Sequence, residues 1–539
     1  MRHFTAYLLV LIIAAIIYVE YFTVAGILIL VLAIGLLGLY IYDVTQKKHA
    51  ILRNFPIFGH GRYIADWLHP KIYQYFVEPD HDGRPISRND RTVIYQRAKS
   101  INDTTPFGTQ LDVYEEGYEW MAHSIKPVNP ADINYDPRVI IGGPQCSQPY
   151  NASIYNISAM SFGSLSSAAV EALNAGARMG NFAQNTGEGG LSDHHLKEKG
   201  DIIFQFGTGY FGVRNLDGSF SEENFEKLAS RPEIKMIEMK LSQGAKPGHG
   251  GILPAVKATP EIAKIRGIEP YKAVLSPPGH TAFSTPKEML FFIQKLRERS
   301  GGKPIGFKIC IGLESEFIAI CKAIQETGIL PDFITIDGGE GGTGAAPLEF
   351  SNSVGMPLYE GLTFAYNCLI GFNIKKQITL IAAGKIYNGF EIFKAISLGA
   401  DACYSARGMM MALGCIQALQ CNQNTCPTGV ATQDPKLMKG LDFGDKSVRV
   451  FQFHKNTVHS FVELLTASGM KHYDQITRAH VHRRIATNLT KRFDQIYPYI
   501  PEGSMLNAYG LPRKYSQAWH SASSESFEPK FISVYIEED

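Results

Sequence analysis

The chain is short of net charge. Its 52 lysines and arginines almost cancel 51 aspartates and glutamates, leaving +1 over 539 residues, and only 19% of residues are charged. Neither sign dominates, so the composition gives no sign of a nucleic-acid surface. No internal repeat or low-complexity tract appears. No small-residue cleavage site follows the apolar start, which argues against a secretory signal peptide. Cysteine is sparse as well. Of eight cysteines, Cys146, Cys310, Cys321, Cys368 and Cys403 are scattered and read as ordinary buried thiols.

The other three are not scattered. Cys415, Cys421 and Cys426 fall in CIQALQCNQNTCPTGVATQD. Three thiolates so close together can hold three corners of one iron–sulfur cluster, because ligation needs soft donors on a turn that brings them round one centre. No fourth cysteine follows closely. That suits a three-iron cluster, or a four-iron cluster with a non-cysteine ligand. A zinc site, which wants four ligands, and three unconnected core cysteines are the competing readings.

Upstream, an apolar run ends in Ala383-Gly384-Lys385, an amphipathic stretch follows, and a second short strand ends in Ala406-Arg407-Gly408. Consecutive β/α units with a glycine after each strand suit the phosphate grip of a (β/α)8 barrel. From Ala152 onward the strand–loop–helix pattern repeats. Candidate strands are 153–159, 182–185, 234–241, 273–275, 305–311, 333–336, 378–382 and 402–405. Helices are expected over 166–179, 287–299, 315–326, 358–370 and 388–398. Eight strands interleaved with helices predict a parallel TIM barrel, with a doubly wound sheet as the alternative.

The first 42 residues differ from the rest. Phe4–Val19 and Phe22–Tyr42 are apolar runs of nearly bilayer-spanning length, separated by a short turn with Glu20. They predict a transmembrane hairpin; one long kinked or re-entrant segment is the other reading. Arg2 and His3 flank one end, and Lys47, Lys48, His49 and Arg53 the other. Positive charge at both outer ends predicts a two-helix membrane protein with its large domain in the cytoplasm. The expected organisation is an anchor over 1–43, a helical cap or linker over 44–150, the barrel over 151–469 and a C-terminal extension over 470–539.

Reactive groups in such a barrel sit at the carboxyl ends of the strands. Four loops stand out there. Ala159–Gly163 is small and polar enough to let a flat ring approach. Gln184–Gly190 brackets Glu188 with glycines. Gln243–Gly251 carries Gln243 and Lys246, which suit capture of a carboxylate. For these two glycine-rich loops, plain turn chemistry is an equal reading. Asp337–Gly344 matches G-x-G-x-x-G, but no acidic residue ends a second strand about 20 residues on, so a loop pressed against a flavin is the better account than a dinucleotide site. Lys308 is a single lysine in an apolar strand. Facing inward, it would stabilise the N1/O2 edge of a reduced flavin; a snorkelling surface lysine is the alternative.

Taken together, AMSFGS, QNTGEGG, QGAKPGHGG, LSPPGH, GGTGA, AAGKI and the cysteine run resemble, in the same order, the synthase domain of glutamate synthase large subunits. The resemblance covers roughly Ser153 to Gly469. The apolar start and the PFGTQ stretch resemble a membrane-anchored, single-domain branch of that FMN-binding family. The resemblance implies an FMN-bearing barrel with a 3Fe–4S cluster on Cys415, Cys421 and Cys426. It implies reduction of 2-iminoglutarate, formed from 2-oxoglutarate and ammonia, to L-glutamate. Electrons would come from a ferredoxin-type donor or a reductase subunit. By the same resemblance Met160, Ser161, Gln205, Lys308, Gly342, Gly384, Arg407 and Gly408 would line FMN. Glu188 and Lys246 would be catalytic, and Gln243 and Arg266 would bind substrate, Arg266 as a carboxylate clamp.

Two departures accompany the match. The chain opens MRHF where glutamate synthases carry a nucleophilic cysteine, so the expectation is no glutaminase domain and ammonia taken free or from a separate subunit. His249 stands where the family has an acid, which leaves room for another amino or 2-oxo acid as substrate. Absence of a His-Gly-Gly-Arg motif argues against a hydroxy-acid oxidase. A non-catalytic, membrane-associated redox protein is the alternative from another class.

Overall fold

The computed structural model describes Tyr7 and residues 10–14, 24–101, 104–507 and 510–528. It divides the chain into two compact units, Met1–Arg91 and Thr92–Asp539.

The larger unit is built on eight parallel strands: β1 (Tyr155–Ile157), β2 (Gln184–Asn185), β3 (Ile202–Phe206), β4 (Ile234–Lys240), β5 (Ile305–Ile309), β6 (Phe333–Asp337), β7 (Thr379–Ala383) and β8 (Ala402–Ser405). Cys403 of β8 pairs with Tyr155 of β1, and that pairing closes the ring. The closure decides for the TIM barrel over the doubly wound sheet. Helices follow the strands: α1 (Ser167–Gly180), the single turn α2 (Asp193–Leu196), α3 (Glu222–Ala229), α4 (Pro286–Arg299), α5 (Glu314–Thr327), α6 (Leu358–Gly371), α7 (Gly389–Ser397) and α8 (Phe443–Ala467). Their starts carry local signals. Ser166 Oγ accepts from the amide of Ala169, Thr285 and Glu288 form a capping box ahead of Pro286, and Asn388 Oδ1 accepts from the amide of Glu391.

One expected strand is misplaced. Residues 273–275 are not in the barrel; Val274–Leu275 pairs antiparallel with Ile252–Leu253 in the long excursion between β4 and α4. The third barrel strand is instead Ile202–Phe206, which is buried along its whole length. A strand covered on both faces shows no alternation, and Gln205 interrupts its apolar run.

Where helices meet, small residues and ring stacking set the distance. A Cβ at Gly176 of α1 would lie 2.6 Å from Val450 of α8, so glycine permits the close crossing. His454 of α8 stacks on Phe182 with centroids 3.9 Å apart, and its Nε2 lies 3.0 Å from Ser153 Oγ and 2.9 Å from the Tyr155 carbonyl. The C-terminal part also packs on the barrel. Glu119–Met121, Val481–Ala486 and Leu489–Arg492 form a small antiparallel sheet. The fully buried Arg478 donates to Asn367 of α6 and to the carbonyls of Tyr497 and Pro498, and lies over the Tyr499 ring.

In the smaller unit the helix Val24–Thr45 matches the second apolar run. Its stretch Gly26–Thr45 has a mean hydropathy of 2.5 and is 11% buried, so by length and composition it could cross a membrane. It is the one such helix among the described residues. Phe4–Val19 lies largely outside them, so the structure provides one candidate span and not the expected hairpin.

At the amino-terminal mouth of the barrel Asp332 ties β5, β6 and α4 together. It accepts from the amides of Gly143 and Ile305 at 2.8 Å each and from Arg297 Nε and Nη2 at 3.2 and 3.1 Å. Both side chains of the ion pair are almost fully buried. Asp332→Ala leaves the guanidinium without its carboxylate, and breaking a buried pair costs about 3–5 kcal/mol. Denaturant titration should show a loss of this order; a loss comparable to an exposed pair, about 0–1 kcal/mol, would contradict the assignment.

Candidate active site

Charges that would be costly to bury alone gather at the carboxyl ends of β2 to β6, where opposite charges or hydrogen-bond partners meet them. Glu238 of β4 is fully buried and accepts from Gln205 Nε2 at 2.5 Å, Asn185 Nδ2 at 2.8 Å and Thr335 Oγ1 at 2.7 Å. One carboxylate thus takes donors from three other strands across the barrel interior. Lys308 of β5 lies inside as expected, 5% exposed, with Nζ 3.5 Å from Asp337 Oδ2. Burial opposes its charge, but the carboxylates of Asp337, Glu238 and Glu188 outweigh burial and raise its pKa. Asp337 also accepts from the amide of Gly244 at 3.0 Å, which joins the loops after β4 and β6.

A second constellation stands above it. Glu188 pairs with Lys240 Nζ at 2.8 Å, and Lys240 donates to Gln243 Oε1 at 3.1 Å. Burial favours the neutral acid at Glu188, yet Lys240, Arg266 and Lys246 prevail and lower its pKa. Lys246 is 2% exposed, and burial, only partly offset by Glu188, lowers its pKa to about 8. Arg266 is buried too. Its Nη2 donates to the Phe162 carbonyl at 3.1 Å, its guanidinium lies 5.2 Å from the Phe211 ring centre, and its Nε is buried without a partner. Burial lowers its pKa to about 10.

The backbone of Lys240 is held in place by His280. Tyr210 OH accepts from the amides of Thr281 and Ala282 at 3.1 Å each, so its proton points to His280 Nδ1, also 3.1 Å away. His280 Nε2 then carries the ring proton and donates to the Lys240 carbonyl at 2.9 Å. Burial keeps this imidazole neutral, with its pKa lowered to about 4.

The glycines of Gln184–Gly190 serve loop packing. A Cβ at Gly187 (φ +63°) would meet the amide nitrogen of Ser161 at 2.7 Å, and one at Gly189 would meet Ser161 Cβ at 2.7 Å and Arg266 Nη2 at 2.9 Å. The Glu188 loop is therefore pressed against Met160 and Ser161. Two glycines further round the mouth are less crowded. Gly384 has φ +146°, and a Cβ there would meet nothing closer than 3.5 Å; one at Gly344 would have no neighbour within 4 Å. Arg407 Nη2 donates to the Glu340 carbonyl at 2.6 Å and lies beside Gly342. Gly408 follows in the first turn of helix Arg407–Ala412, whose leading amides have no acceptor within the helix. A cation and free-standing amides at this rim, with buried Lys308 deeper in, fit a phosphate-bearing flavin.

The cysteine run is docked on the loop after β1. Ser166 donates its amide to the Val430 carbonyl at 2.9 Å. Gln433 Nε2 donates to Gly163 and Leu165, and Lys257 Nζ bridges the carbonyls of Ser164 and Ala431 at 2.9 Å each. Burial raises the Cys415 thiol to about 12 and also raises Cys421. Burial acts in the same direction on Cys426, but the Thr428 hydroxyl and the amides of Ala431, Thr428 and Val430 win and lower it. Such donors suit a thiolate ligand. The geometry does not complete a site: among the described residues no group of three or more His, Cys, Asp or Glu side chains is gathered to hold a metal ion. Cys421 and Cys426 nevertheless act electrostatically on Cys415, and Cys426 on Cys421, so the three thiols are near neighbours and their donor chemistry fits a cluster.

The conserved region of glutamate synthase matches residues 99–471. The chain belongs to the glutamate synthase family. It is 38% identical over 484 residues to the glutamate synthase large subunit-like protein YerD of Bacillus subtilis, covering 82% of this chain and 91% of that one. It is 35% identical over 322 residues to the archaeal glutamate synthase [NADPH] of Methanocaldococcus jannaschii, covering 59% and 60%. Against the glutamate synthase [NADPH] large chain of Bacillus subtilis it is 31% identical over 330 residues, which is 20% of that protein. It therefore spans nearly all of the first relative, about three fifths of the second and one fifth of the third. Membership places the chain among oxidoreductases acting on CH–NH2 groups.

Sequence reasoning missed Glu238, Lys240, Asp337 and His280. Glu238 and Lys240 were findable: they stand two residues apart on the strand face that also carries Ile234 and Met236, while Lys235 points the other way. Asp337 and His280 gain significance only from their partners across the barrel.

Lys240→Met tests the pairing. With Lys240 present the lowered Glu188 pKa contributes stability that is complete above the ordinary carboxylate value and lost as pH falls through the folded value. Without it, only Arg266 and Lys246 oppose burial, so the Glu188 pKa rises and this contribution shrinks. Thermal melts from pH 4 to 7 should show the variant losing most, relative to wild type, at the high end of the range. An unchanged difference across that range would remove Lys240 as the controlling cation.

Proposed function

We propose that the chain is a glutamate synthase-like oxidoreductase that reduces 2-iminoglutarate, formed from 2-oxoglutarate and ammonia, to L-glutamate with FMN. The observation that carries this reading is the pairing of two buried constellations at one barrel mouth, Lys308 with Asp337 and Glu238, and Glu188 with Lys240, Lys246 and Arg266. The first would hold negative charge at the edge of the flavin; the second can hold a dicarboxylate and move a proton.

FMN bound here would supply hydride to the imine carbon. The chain's own residues do the rest. Gln205 and Lys308 would face the ring, with Met160 and Ser161 at its edge, and Gly342, Gly384, Arg407 and Gly408 would hold the phosphate end. Arg266, whose buried Nε–H has no partner, and Gln243 would hold substrate carboxylates. The imine nitrogen needs a proton as the carbon is reduced. Glu188 stays ionised and is a poor acid near neutrality; Lys246, at about 8, is the matched donor.

A 3Fe–4S cluster on Cys415, Cys421 and Cys426 belongs to this proposal on donor chemistry, as does an electron donor of ferredoxin or reductase type. So does an anchor through the apolar amino-terminal helices that leaves the barrel in the cytoplasm. None of the proton or binding roles above depends on them.

Purified chain with FMN and a chemical reductant should convert 2-oxoglutarate and ammonium to glutamate. Its kcat should fall as pH rises through about 8, because deprotonated Lys246 cannot act as acid. Lys246→Gln should abolish that limb and lower kcat by about 10²–10⁴-fold. Reduced flavin left unoxidised by 2-oxoglutarate plus ammonium would point to another amino or 2-oxo acid, a reading to which His249 lends itself.

Cys421→Ser checks the cluster. Iron content and the paramagnetic signal of the cluster should be lost while FMN stays bound. Zinc without iron in the anaerobically purified wild type would overturn the cluster assignment.

A further inference from the structure

The amino-terminal unit contains a second apolar surface beyond the span. After Thr45 the chain turns and forms helices Ala50–Asn54 and His60–Ile72, continued by a π-helical turn, Tyr73–Val77. The helix His60–Ile72 has no buried residue. Ile64, Trp67, Leu68 and Ile72 stand on one face at helical spacing, and all are exposed; Arg62, Asp66 and His69 lie on the opposite face. Phe55, Phe58, Tyr73, Tyr75, Phe76 and Val77 extend the exposed apolar surface, with Phe76 85% exposed. Such a surface is much larger than scattered single apolar residues would make.

Three features say what covers it. First, it begins within a few residues of an apolar helix of membrane-spanning length. Second, its composition is that of the bilayer interface: exposed Trp67, Tyr73 and Tyr75, with basic side chains around them. Lys47, Lys48, Arg53, Arg62 and Lys71 outnumber Asp66 through this stretch. Lys71 shares this face; its Nζ lies 3.4 Å from the Trp67 ring centre and donates to the Trp67 carbonyl, so its charge is held against the ring and the helix backbone. Third, the angle between span and amphipathic segment is fixed by a buried clasp. Asp43, fully buried near the end of the span, accepts from the Ile57 amide at 2.8 Å and contacts His60 Nε2 at 2.9 and 3.0 Å.

We infer that residues 50–77 form an interfacial arm that lies in the headgroup layer of an anionic phospholipid bilayer, apolar face down, beside the point where Val24–Thr45 leaves it. The arm rests on the membrane-anchor reading above. It adds a surface attachment to the span, and the Asp43 clasp sets its direction. Trp67 is then at the depth of the lipid carbonyls and the polar face is in water.

The test uses the full chain in vesicles of phosphatidylcholine and phosphatidylglycerol, with Trp120→Phe and Trp519→Phe making Trp67 the sole tryptophan. Flotation with the vesicles reports the anchor. Trp67 emission should be blue-shifted and quenched more by lipids brominated near the headgroup than by lipids brominated near the chain end. The substitutions Ile64→Asp and Ile72→Asp together should red-shift Trp67 and remove lipid quenching while the chain still floats. A chain that floats with Trp67 unquenched by either lipid overturns the arm and leaves the anchor standing. Trp67 shielded from both lipid and aqueous quenchers would mean that a protein surface covers the segment, and also overturns it. A chain that fails to float removes the anchor and the arm together. If the sole-tryptophan chain fails to bind FMN, the same quenching measured on wild type, as a difference from Trp67→Phe, decides among these outcomes.

Discussion

Burying a charge costs far more than a folded protein can spare unless a partner meets it. Glu238 shows how this barrel answers that constraint. Its carboxylate sits at the interior of the ring with no exposure, and donors arrive from β2, β3 and β6. Those strands must be in register for the three donors to converge. Gln205 pairs in register with Glu238, and Lys308 with Thr335. The barrel that holds the charges is thus held in register partly by them.

The same constraint shapes the mouth. Lys308 keeps its charge because three carboxylates surround it, and Glu188 keeps its own because three cations do. Lys246 is nearer the margin, with burial outweighing its partner, and so it is the group suited to give up a proton. The loops that present these side chains are packed on each other through glycines. Gly187 and Gly189 bring the Glu188 loop onto the loop after β1, and the cysteine run docks on that same loop through Lys257, Ser166 and Gln433. A change at one loop is therefore felt at the others through backbone contact.

Much of the barrel was legible. Strands such as Ile305–Ile309 and Ala402–Ser405 are short apolar runs near glycines, and helices such as Pro286–Arg299 announce themselves by a capping box and periodic apolar residues. The third strand escaped because a strand buried on both faces has no alternation to show. Val274–Leu275 looked like a strand and is one, but in a loop excursion. At the site, Lys308 was legible as a charge in an apolar strand. Glu238 and Lys240 carried the same signal in a strand where more than one charge made it read as more polar.

What the sequence alone determined were the family motifs, the strand–helix alternation, an apolar amino-terminal run of bilayer-spanning length and part of the charge at the barrel mouth, Glu188, Lys246 and Lys308 among it. These are local properties: spacing, composition and order along the chain. Tertiary structure alone decided which charge meets which. The closure of β8 on β1, the convergence of three donors on Glu238, the tautomer of His280 and the burial that lowers Lys246 all depend on residues tens to hundreds of positions apart. Pairing energies and pKa values follow distance and dielectric, and neither exists until the ring has closed.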